Sequence, residues 1–337
     1  MRLGQVLSRT VDTALDRTVV LGYTRLGSGV RSRWWPADPE PDALAGRRIV
    51  VTGATSGIGG AAAAGYLRLG ASVHLLGRNP DKVAVAVEEL RSAAPPGDSA
   101  GDIAGDIVGE TCDVGDLAAV RAWTEDFLSR HDVLDGILHN AGTMTGSRRE
   151  TSPQGHELTL AVHVLGPHLM TSRLLPALRA SDAASVVWMS SGGMYGARLH
   201  ADDADDIEYR SGDYDGVRAY ARTKRMQVVL AQEWARRETA DGIRFASMHP
   251  GWAATPGVTE HLPRFERLTR PLLRTPDDGA DTAVWLMATR PQAAPPYFWH
   301  DRVARPVVFP GQRAPQPAAV QRLVDHVVAA TEAPFAP

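Results

Sequence analysis

The chain has 337 residues, enough for one large α/β domain or two smaller ones. Hydrophobic residues make up 44% and charged residues 22%, a composition typical of a globular protein with a buried core. The formal net charge of −3 argues against a nucleic-acid partner. Because Cys112 is the single cysteine, an internal disulfide is excluded and a cytoplasmic location is the simplest expectation. Neither a secretory signal nor an apolar run long enough to span a membrane is predicted.

Residues 1–42 are predicted to form an N-terminal extension and linker. Within residues 1–33 apolar side chains recur at helical spacing, and six arginines against two aspartates give a local charge of +4. Two interpretations remain open: a helix packed on the main domain, or a helix lying on a membrane surface. Packing is the simpler interpretation. The local charge nevertheless predicts weak, salt-sensitive binding to anionic vesicles through residues 1–35, with the catalytic domain still folded without them.

Strand-like and helix-like stretches alternate through the remaining domain, residues 43–337. The predicted strands are Arg48–Thr52, Ala71–Leu76, Glu110–Cys112, Val133–His139, Ala184–Met189 and Ile243–Met248. The predicted helices are Ile58–Leu69, Asp81–Ser92, Leu117–Arg130, residues 155–179, Val217–Arg237 and one more after Pro315, with residues 95–109 as a surface insertion. This alternation predicts an α/β fold in one domain, a Rossmann-type doubly wound parallel sheet covered on both faces.

A glycine-rich turn follows the first predicted strand, with the sequence Thr52-Gly-Ala-Thr-Ser-Gly-Ile-Gly59. Gly53 permits a tight turn, Gly57 lets the backbone approach a pyrophosphate, and Gly59 allows close packing of the helix on the strand. The N-terminus of the following helix would offer free N–H groups and a positive dipole to phosphates. The spacing and its context therefore predict a dinucleotide-binding turn.

The end of the second predicted strand indicates which nicotinamide cofactor would bind. A cofactor without a 2′-phosphate is usually held there by an acidic residue. Here the strand ends in Gly77-Arg78, and an arginine can hold a phosphate with paired hydrogen bonds. We therefore predict NADP(H) rather than NAD(H).

Tyr220 and Lys224 are four residues apart in a predicted helix, so their side chains share one face. An ammonium group beside a phenol favours the phenolate, and is expected to bring the tyrosine pKa toward the neutral range. Upstream, a predicted buried strand ends in Ser190-Ser191, at the sheet edge where open α/β sheets bind ligands. Ser191 could donate a hydrogen bond to a substrate carbonyl oxygen, whereas Ser190 is expected to satisfy local backbone.

Together these motifs resemble the short-chain dehydrogenase/reductase family over roughly residues 46–310. The resemblance implies that the dinucleotide is bound by Gly53, Ser56, Gly57, Ile58 and Gly59, and that its adenine contacts Asp113-Val114. It also implies that Asn140-Ala141-Gly142 hold the sheet and line the cofactor site, and that Pro250-Gly251 and Thr255 bind the nicotinamide. The catalytic set that it implies is Ser191, Tyr220 and Lys224, the last two also contacting the cofactor.

Three further segments, Ser190–Tyr195, Met248–Gly257 and Gly279–Trp285, are similar to a retinol-dehydrogenase-like branch of that family. This resemblance implies a lipophilic ketone, aldehyde or alcohol as substrate, and it leaves a homo-oligomer open. The candidate substrate-contacting residues are Met194, Tyr195 and Trp252. Met144 is a further candidate, for which a core role is equally expected.

One position departs from the family pattern. The helix after the fourth strand has His163-Val-Leu-Gly166 where the family has asparagine, whose main-chain carbonyl holds a water near the catalytic lysine. A histidine retains that carbonyl and could relay protons through its ring. It could equally be a hydrogen-bonded structural residue or a sign of weakened catalysis. We therefore include His163 among the candidate catalytic residues, with the structural role as its alternative.

These observations predict an NADP(H)-dependent oxidoreductase that interconverts a carbonyl and an alcohol by hydride transfer, without a metal site. A cofactor-binding protein without turnover, acting as a sensor or scaffold, is the alternative that the histidine at position 163 supports. A sugar-nucleotide epimerase on a similar fold is disfavoured by the glycine spacing and by the lack of a large C-terminal domain.

Overall fold

An eight-stranded sheet lies at the centre of the described structure. The computed structural model describes residues 12, 13, 15, 18, 20–93, 105–238, 242–254, 267, 269–293 and 297–335. The strands are β1 (Arg48–Thr52), β2 (Ser72–Gly77), β3 (Ile107–Thr111), β4 (Gly136–His139), β5 (Ala184–Met189), β6 (Ile243–Met248), β7 (Phe298–His300) and β8 (Val303–Arg305). Their order across the sheet is β3-β2-β1-β4-β5-β6-β7-β8. All neighbouring pairs from β3 across to β7 are parallel, and β8 lies at the edge, antiparallel to β7.

Helices cover both faces of the sheet. They are α1 (Val20–Tyr23), α2 (Arg25–Arg31), α3 (Gly57–Arg68), α4 (Pro80–Ala93), α5 (Leu117–Arg130), α6 (Leu158–Leu160), α7 (Gly166–Arg179), α8 (Ala204–Ile207), α9 (Gly216–Arg237), α10 (Pro276–Thr289) and α11 (Pro317–Thr331). On one face α5, α7, α9 and α11 pack around Phe127, Trp188 and Trp234. On the other, α3, α4 and α10 pack around Tyr66 and Trp285. The predicted Rossmann-type doubly wound sheet is confirmed.

The central strands form because their apolar runs can be buried on both sides. In β1, Ile49, Val50 and Val51 are all fully buried, as expected for a parallel strand between two layers of helices. Each parallel strand needs a crossover helix before its neighbour, and these crossovers are right-handed as a rule. As a result, the loops after β1, β4, β5 and β6 meet at one edge of the sheet.

Several predicted boundaries differ from the structure. Strand β3 begins at Ile107, inside the stretch assigned to a surface insertion, and β4 begins only at Gly136. The single helix predicted over residues 155–179 is divided into α6, a π-helical turn (Ala161–Leu165) and α7. The β7–β8 hairpin was not predicted.

The described part of the N-terminal extension is packed on the domain. Arg31, on α2, is 1% exposed, and its guanidinium donates to Asp301 Oδ2 and to the Gly22 carbonyl, each at 2.9 Å. Its Nε donates to Asp12 Oδ1 at 2.8 Å. The packed interpretation therefore holds for residues 20–34, while residues 1–11 lie outside the described part of the chain. Among the residues described, no helix combines the length and the apolar character needed to cross a membrane.

Candidate active site

The candidate site lies at the carboxyl edge of the sheet, where the strand order reverses between β1 and β4. Such a reversal opens a crevice in which α/β proteins bind ligands. Four loops meet at this edge: the glycine turn after β1 and the segments that follow β4, β5 and β6. Each contains residues that the sequence analysis selected.

The glycine turn adopts a backbone that requires glycine at two positions. Gly53 and Gly57 have φ values of +64° and +58°, in the left-handed region that side chains disfavour. A Cβ atom on Gly53 would also lie only 2.7 Å from Ala141 Cα. The turn is therefore held directly against the segment that follows β4.

Asn140 connects the same two segments through hydrogen bonds. Its side-chain amide donates to the carbonyls of Thr52 at 3.1 Å and Gly53 at 3.0 Å. The Thr52 hydroxyl in turn accepts from the backbone N–H groups of Asn140 and Ala141, both at 3.0 Å. Asn140 thus fixes the shape of the turn, which is the sheet-holding role implied by the family resemblance.

The N-terminus of α3 fits a pyrophosphate. Helix α3 has 12 residues, and Ser56, its exposed N-cap residue, makes no side-chain cap to it within the described structure. The first-turn N–H groups and the positive end of the helix dipole therefore point toward open space beside Gly57. The residues present would hold the phosphates of a dinucleotide.

The residues expected around the adenosine end lie after β2 and β3. Arg78 is exposed immediately beyond β2. A Cβ atom on the preceding Gly77 would lie 2.6 Å from Thr55 Cγ2, so the site normally taken by an acidic side chain has no room for one. Asp113 is exposed, and its carboxylate accepts the Gly115 N–H at 2.9 Å, while Val114 is buried. Arg78 is therefore an exposed cation at the carboxyl end of β2, next to a position that holds no acidic side chain.

The structure brings Ser191, Tyr220 and Lys224 together. Ser191 follows β5, and its hydroxyl lies near enough to that of Tyr220 to lower the tyrosine pKa. Lys224, one helical turn further along α9, places Nζ 5.3 Å from the centroid of the Tyr220 ring. Its ammonium donates to the Met189 carbonyl at 2.8 Å. The Ser190 hydroxyl donates to the Lys224 carbonyl at 2.7 Å, so Ser190 joins β5 to α9 instead of facing substrate.

Burial determines the protonation of this set in the free protein. Burial raises the pKa of Tyr220 above its usual value, although the hydrogen bond with Ser191 opposes the shift. Burial also lowers the pKa of Lys224 to about 7. The expected lowering of the tyrosine pKa by the lysine charge is therefore not met in the free protein, where burial sets the direction of the shift.

His163 is fully buried, and both of its ring nitrogens are engaged. Nε2 accepts the Thr143 N–H at 3.1 Å, so the proton lies on Nδ1, which is 2.8 Å from the Thr223 hydroxyl. Burial, followed by the Lys224 charge, holds the pKa of His163 well below its usual value. The ring is therefore neutral and fixed in one tautomer, a geometry that favours the structural alternative over a proton relay.

Gln227 is a residue of this network that sequence reasoning did not find. It is fully buried on α9, and its amide donates to the His163 carbonyl at 3.0 Å. That carbonyl lies within the π-helical turn, a distortion that frequently occurs at functional sites. In the family, the main-chain carbonyl at this position holds a water. Here one lone pair of the His163 carbonyl oxygen already accepts the Gln227 amide.

The candidate substrate residues lie in different environments. Met194 is fully buried and Tyr195 is 6% exposed, and both pack in a core cluster with Phe298. The Tyr195 hydroxyl donates to the Pro306 carbonyl at 2.6 Å. Both side chains thus lie in the core, and their predicted contact with substrate stays a prediction. Trp252 and Met144 are half-buried at the edge of the site.

The nicotinamide-binding segment after β6 is described only in part. Gly251 has a φ of +76°, and a Cβ atom there would lie 2.6 Å from Arg274 Cζ. Pro250 is half-buried beside it. Thr255 lies outside the described residues, so its predicted contact with the cofactor stays a prediction.

Tyr23 of the N-terminal extension forms part of the wall beside Ser191, which sequence reasoning did not anticipate. It is 1% exposed, and a Cβ atom on Gly192 would collide with its ring. Its carbonyl accepts the Trp252 N–H at 2.7 Å, and its ring lies edge-on to that of Trp252. The extension therefore supports the segment that follows β6.

Comparison with known proteins agrees with this architecture. Residues 47–199 match the short chain dehydrogenase family. Dehydrogenase/reductase SDR family member 12 of Bos taurus is 33% identical over 306 residues, covering 90% of this chain and 92% of that protein. Retinol dehydrogenase 11 of Mus musculus is 29% identical, and the match covers 73% of this chain and 74% of that protein.

A solved structure extends the comparison to a protein with bound cofactor. A short chain dehydrogenase of Shigella flexneri, complexed with NADP, is 28% identical with a TM-score of 0.55, covering 74% of this chain and 93% of that chain. The resemblance inferred from the motifs is thereby confirmed, including the similarity to a retinol-dehydrogenase-like branch. The chain belongs to the short-chain dehydrogenase/reductase family, and it is an oxidoreductase of that family.

Proposed function

We propose that this oxidoreductase uses NADP(H) to interconvert a lipophilic ketone or aldehyde and the corresponding alcohol. The observation that carries the proposal is the convergence of Ser191, Tyr220 and Lys224 beside the glycine turn, at one edge of the sheet. A binding module would need the turn but would have no use for a neighbouring serine and tyrosine with a buried lysine beside them.

The proposed roles follow from the geometry of these three side chains. When bound, the nicotinamide cofactor supplies or accepts the hydride at the reacting carbon. In reduction, Ser191 donates a hydrogen bond that orients the carbonyl oxygen, and Tyr220 gives that oxygen its proton. The raised pKa of Tyr220 keeps the phenol protonated at neutral pH, which suits a proton donor. Lys224, whose pKa is about 7, can place positive charge beside the phenolate that remains.

The cofactor preference can be tested through Arg78. We expect NADPH to bind at least about tenfold more tightly than NADH, roughly 1.4 kcal/mol, because the guanidinium would pair with the 2′-phosphate. Arg78→Ala should remove most of this preference by weakening NADPH alone. Arg68→Ala is the matched control, since this exposed arginine lies in the last turn of α3, at the opposite end from the phosphates. Fluorescence titration measures all three proteins, and equal affinities for the two cofactors in the wild-type chain would contradict the assignment.

A lipophilic substrate is supported by the half-buried Trp252 and Met144 at the edge of the site and by the name of its relative retinol dehydrogenase 11. The decisive experiment follows NADPH oxidation with a panel of hydrophobic ketones and aldehydes. Turnover of several members supports the proposal. Cofactor binding without turnover of any of them would favour the sensor or scaffold alternative.

We also propose that the N-terminal extension makes a weak membrane-surface contact. Leu21, Leu26 and Trp34 are 49%, 52% and 37% exposed, and Arg25 and Arg33 are exposed among them. Large apolar side chains interleaved with arginines are what an interfacial segment presents to anionic lipid.

Vesicle co-sedimentation tests this contact with single substitutions that leave the buried anchors in place. Leu26→Ser should reduce binding to anionic vesicles several-fold, and added salt should weaken binding by the wild-type chain. Val85→Ser is the control, because Val85 is similarly exposed, at 57%, on α4. Equal binding by both variants, or no binding by the wild-type chain, would contradict the proposal.

A further inference from the structure

Two histidines and a glutamate form a cluster away from the catalytic set. His156 lies in the loop before α6, Glu208 immediately follows α8, and His326 is on α11. One ligand atom from each, two imidazole nitrogens and a carboxylate oxygen, lie within 4.8 Å of one another. The cluster is the one such group found among the described residues.

The two carboxylate oxygens of Glu208 have different partners. Oε1 faces the imidazoles, 2.7 Å from His156 Nδ1 and 3.0 Å from His326 Nε2. Oε2 faces away from them, accepting the Glu157 N–H at 2.9 Å and a guanidinium N–H of Arg149 at 3.4 Å. One oxygen is thus held from behind while the other is presented to the imidazoles. Metal-binding carboxylates are commonly oriented by outer hydrogen bonds of this kind.

We propose that His156, Glu208 and His326 form a binding site for a divalent transition metal of the Zn²⁺ type. Imidazole nitrogen and carboxylate oxygen are ligands that Zn²⁺ accepts at about 2.0–2.2 Å. Tetrahedral coordination at such distances separates the donor atoms by about 3.3 Å, so the observed cluster needs only small side-chain movements to close on an ion. The fourth position would be left to water.

Burial and access fit an ion that enters from solvent. The Glu208 side chain is fully buried, whereas those of His156 and His326 are 17% and 16% exposed. Burial raises the pKa of Glu208, but the hydrogen bonds from His156 and His326 offset this, and the pKa lies well below its usual range. An ion would replace the protons that the imidazoles now share with the carboxylate, because metal ligands bind in their deprotonated form.

The site would be structural. It joins α11 to the loop before α6 and to the segment between α8 and α9, and α9 carries Tyr220. The pattern is hard to find in the sequence, since Glu208 is 52 residues from His156 and 118 from His326. The proposal departs from the expectation of no metal site, because only the tertiary structure brings the three residues together.

Calorimetric titration of the chelator-treated, tag-free full chain with Zn²⁺ tests the site. We expect a stoichiometry near one, a Kd of about 1 µM or tighter, and a Tm that rises by about 2 °C or more with excess Zn²⁺. His156→Gln and His326→Gln should each weaken binding at least about tenfold while retaining a hydrogen bond to Glu208.

His200→Gln is the matched control. His200 also pairs with a carboxylate, Asp206 at 3.1 Å, but it is not part of the cluster. The affinity of the His200→Gln variant for Zn²⁺ should equal that of the wild-type chain. If either cluster variant fails to fold, the visible spectrum of the wild-type chain with Co²⁺ decides: an intense tetrahedral d–d band supports the site. No saturable binding, or affinity unchanged in both cluster variants, would show a hydrogen-bonded triad only and overturn the proposal.

Discussion

Tyr220→Phe is expected to lower kcat/KM for carbonyl reduction by about 10²- to 10⁴-fold, the usual contribution of a positioned proton donor. The substitution removes one hydroxyl near Ser191 and leaves the ring in place beside Lys224. Binding of NADPH should change little, because the glycine turn and Arg78 are untouched. A loss of turnover at constant cofactor affinity identifies a group that acts in the transition state.

The measurement pairs steady-state kinetics with fluorescence titration of NADPH on the same protein preparation. Tyr297→Phe serves as the control, since it removes a phenol hydroxyl from a half-buried ring that packs on Trp299, outside the candidate site. It should retain wild-type activity. Normal turnover by Tyr220→Phe would mean that another group supplies the proton, and the proposed mechanism would then be wrong.

Much of this site was predictable because Gly53, Asn140 and Ser191 each follow a parallel strand, so that the strand order alone brings them to one edge of the sheet. Tyr220 lies on helix α9 instead, and it was predicted from its spacing to Lys224 and from the family resemblance. The pKa of Tyr220 was not predictable in the same way. Whether charge or burial dominates the pKa shift depends on the distance from Lys224 and on the solvent excluded by the fold. A four-residue spacing in the sequence gives neither quantity.

The core positions of Met194 and Tyr195 were unpredictable for a different reason. Both follow Ser191 closely, so nearness in sequence suggested contact with substrate. The backbone forms a 3-10 turn at residues 192–196 and directs these side chains into the core, where the Tyr195 ring stacks on Phe309 with centroids 4.0 Å apart. More than a hundred residues separate these two rings in the chain, and only the tertiary structure brings them together.

The β7–β8 hairpin escaped prediction because its signals are atypical. Each strand has three residues, and the two-residue turn between them is Asp301-Arg302. Both turn residues have positive φ, +51° and +56°, as a type I′ turn requires, but glycine or asparagine usually occupies such positions. Contacts made by Asp301 compensate: it is 1% exposed and paired with Arg31 and Arg274.

The same pairing corrects the interpretation of the N-terminal charge. Arg31 was counted with five other arginines as part of a basic, membrane-facing excess. Its side chain is 1% exposed and lies 2.9 Å from Asp301 Oδ2, so it is unavailable to lipid. The structure therefore divides residues 20–34 between buried anchors, Tyr23 and Arg31, and an exposed face. A chain lacking residues 1–35 would lose both anchors, which argues against the expectation that the catalytic domain folds unchanged without them.

Arg31→Ala is accordingly expected to lower the free energy of unfolding by about 3 kcal/mol, near the lower end of the cost of removing one partner from a buried ion pair. The lower end applies because each acid that loses Arg31 keeps another cation: Asp301 keeps Arg274, and Asp12 keeps Arg305. The Gly22 carbonyl also loses one donor, although Arg274 still donates to it at 3.0 Å.

Urea unfolding of the wild-type and variant chains measures this loss, with Arg33→Ala as the matched control. Arg33 is two residues away and exposed, so its replacement should change the free energy of unfolding by less than about 0.5 kcal/mol. Equal stability of the two variants would mean that the extension is not anchored through Arg31. A loss of stability in Arg31→Ala alone, together with a higher KM for the carbonyl substrate, would connect the anchor to the site. Tyr23 and Trp252 share a backbone hydrogen bond, so a loosened extension would displace both residues.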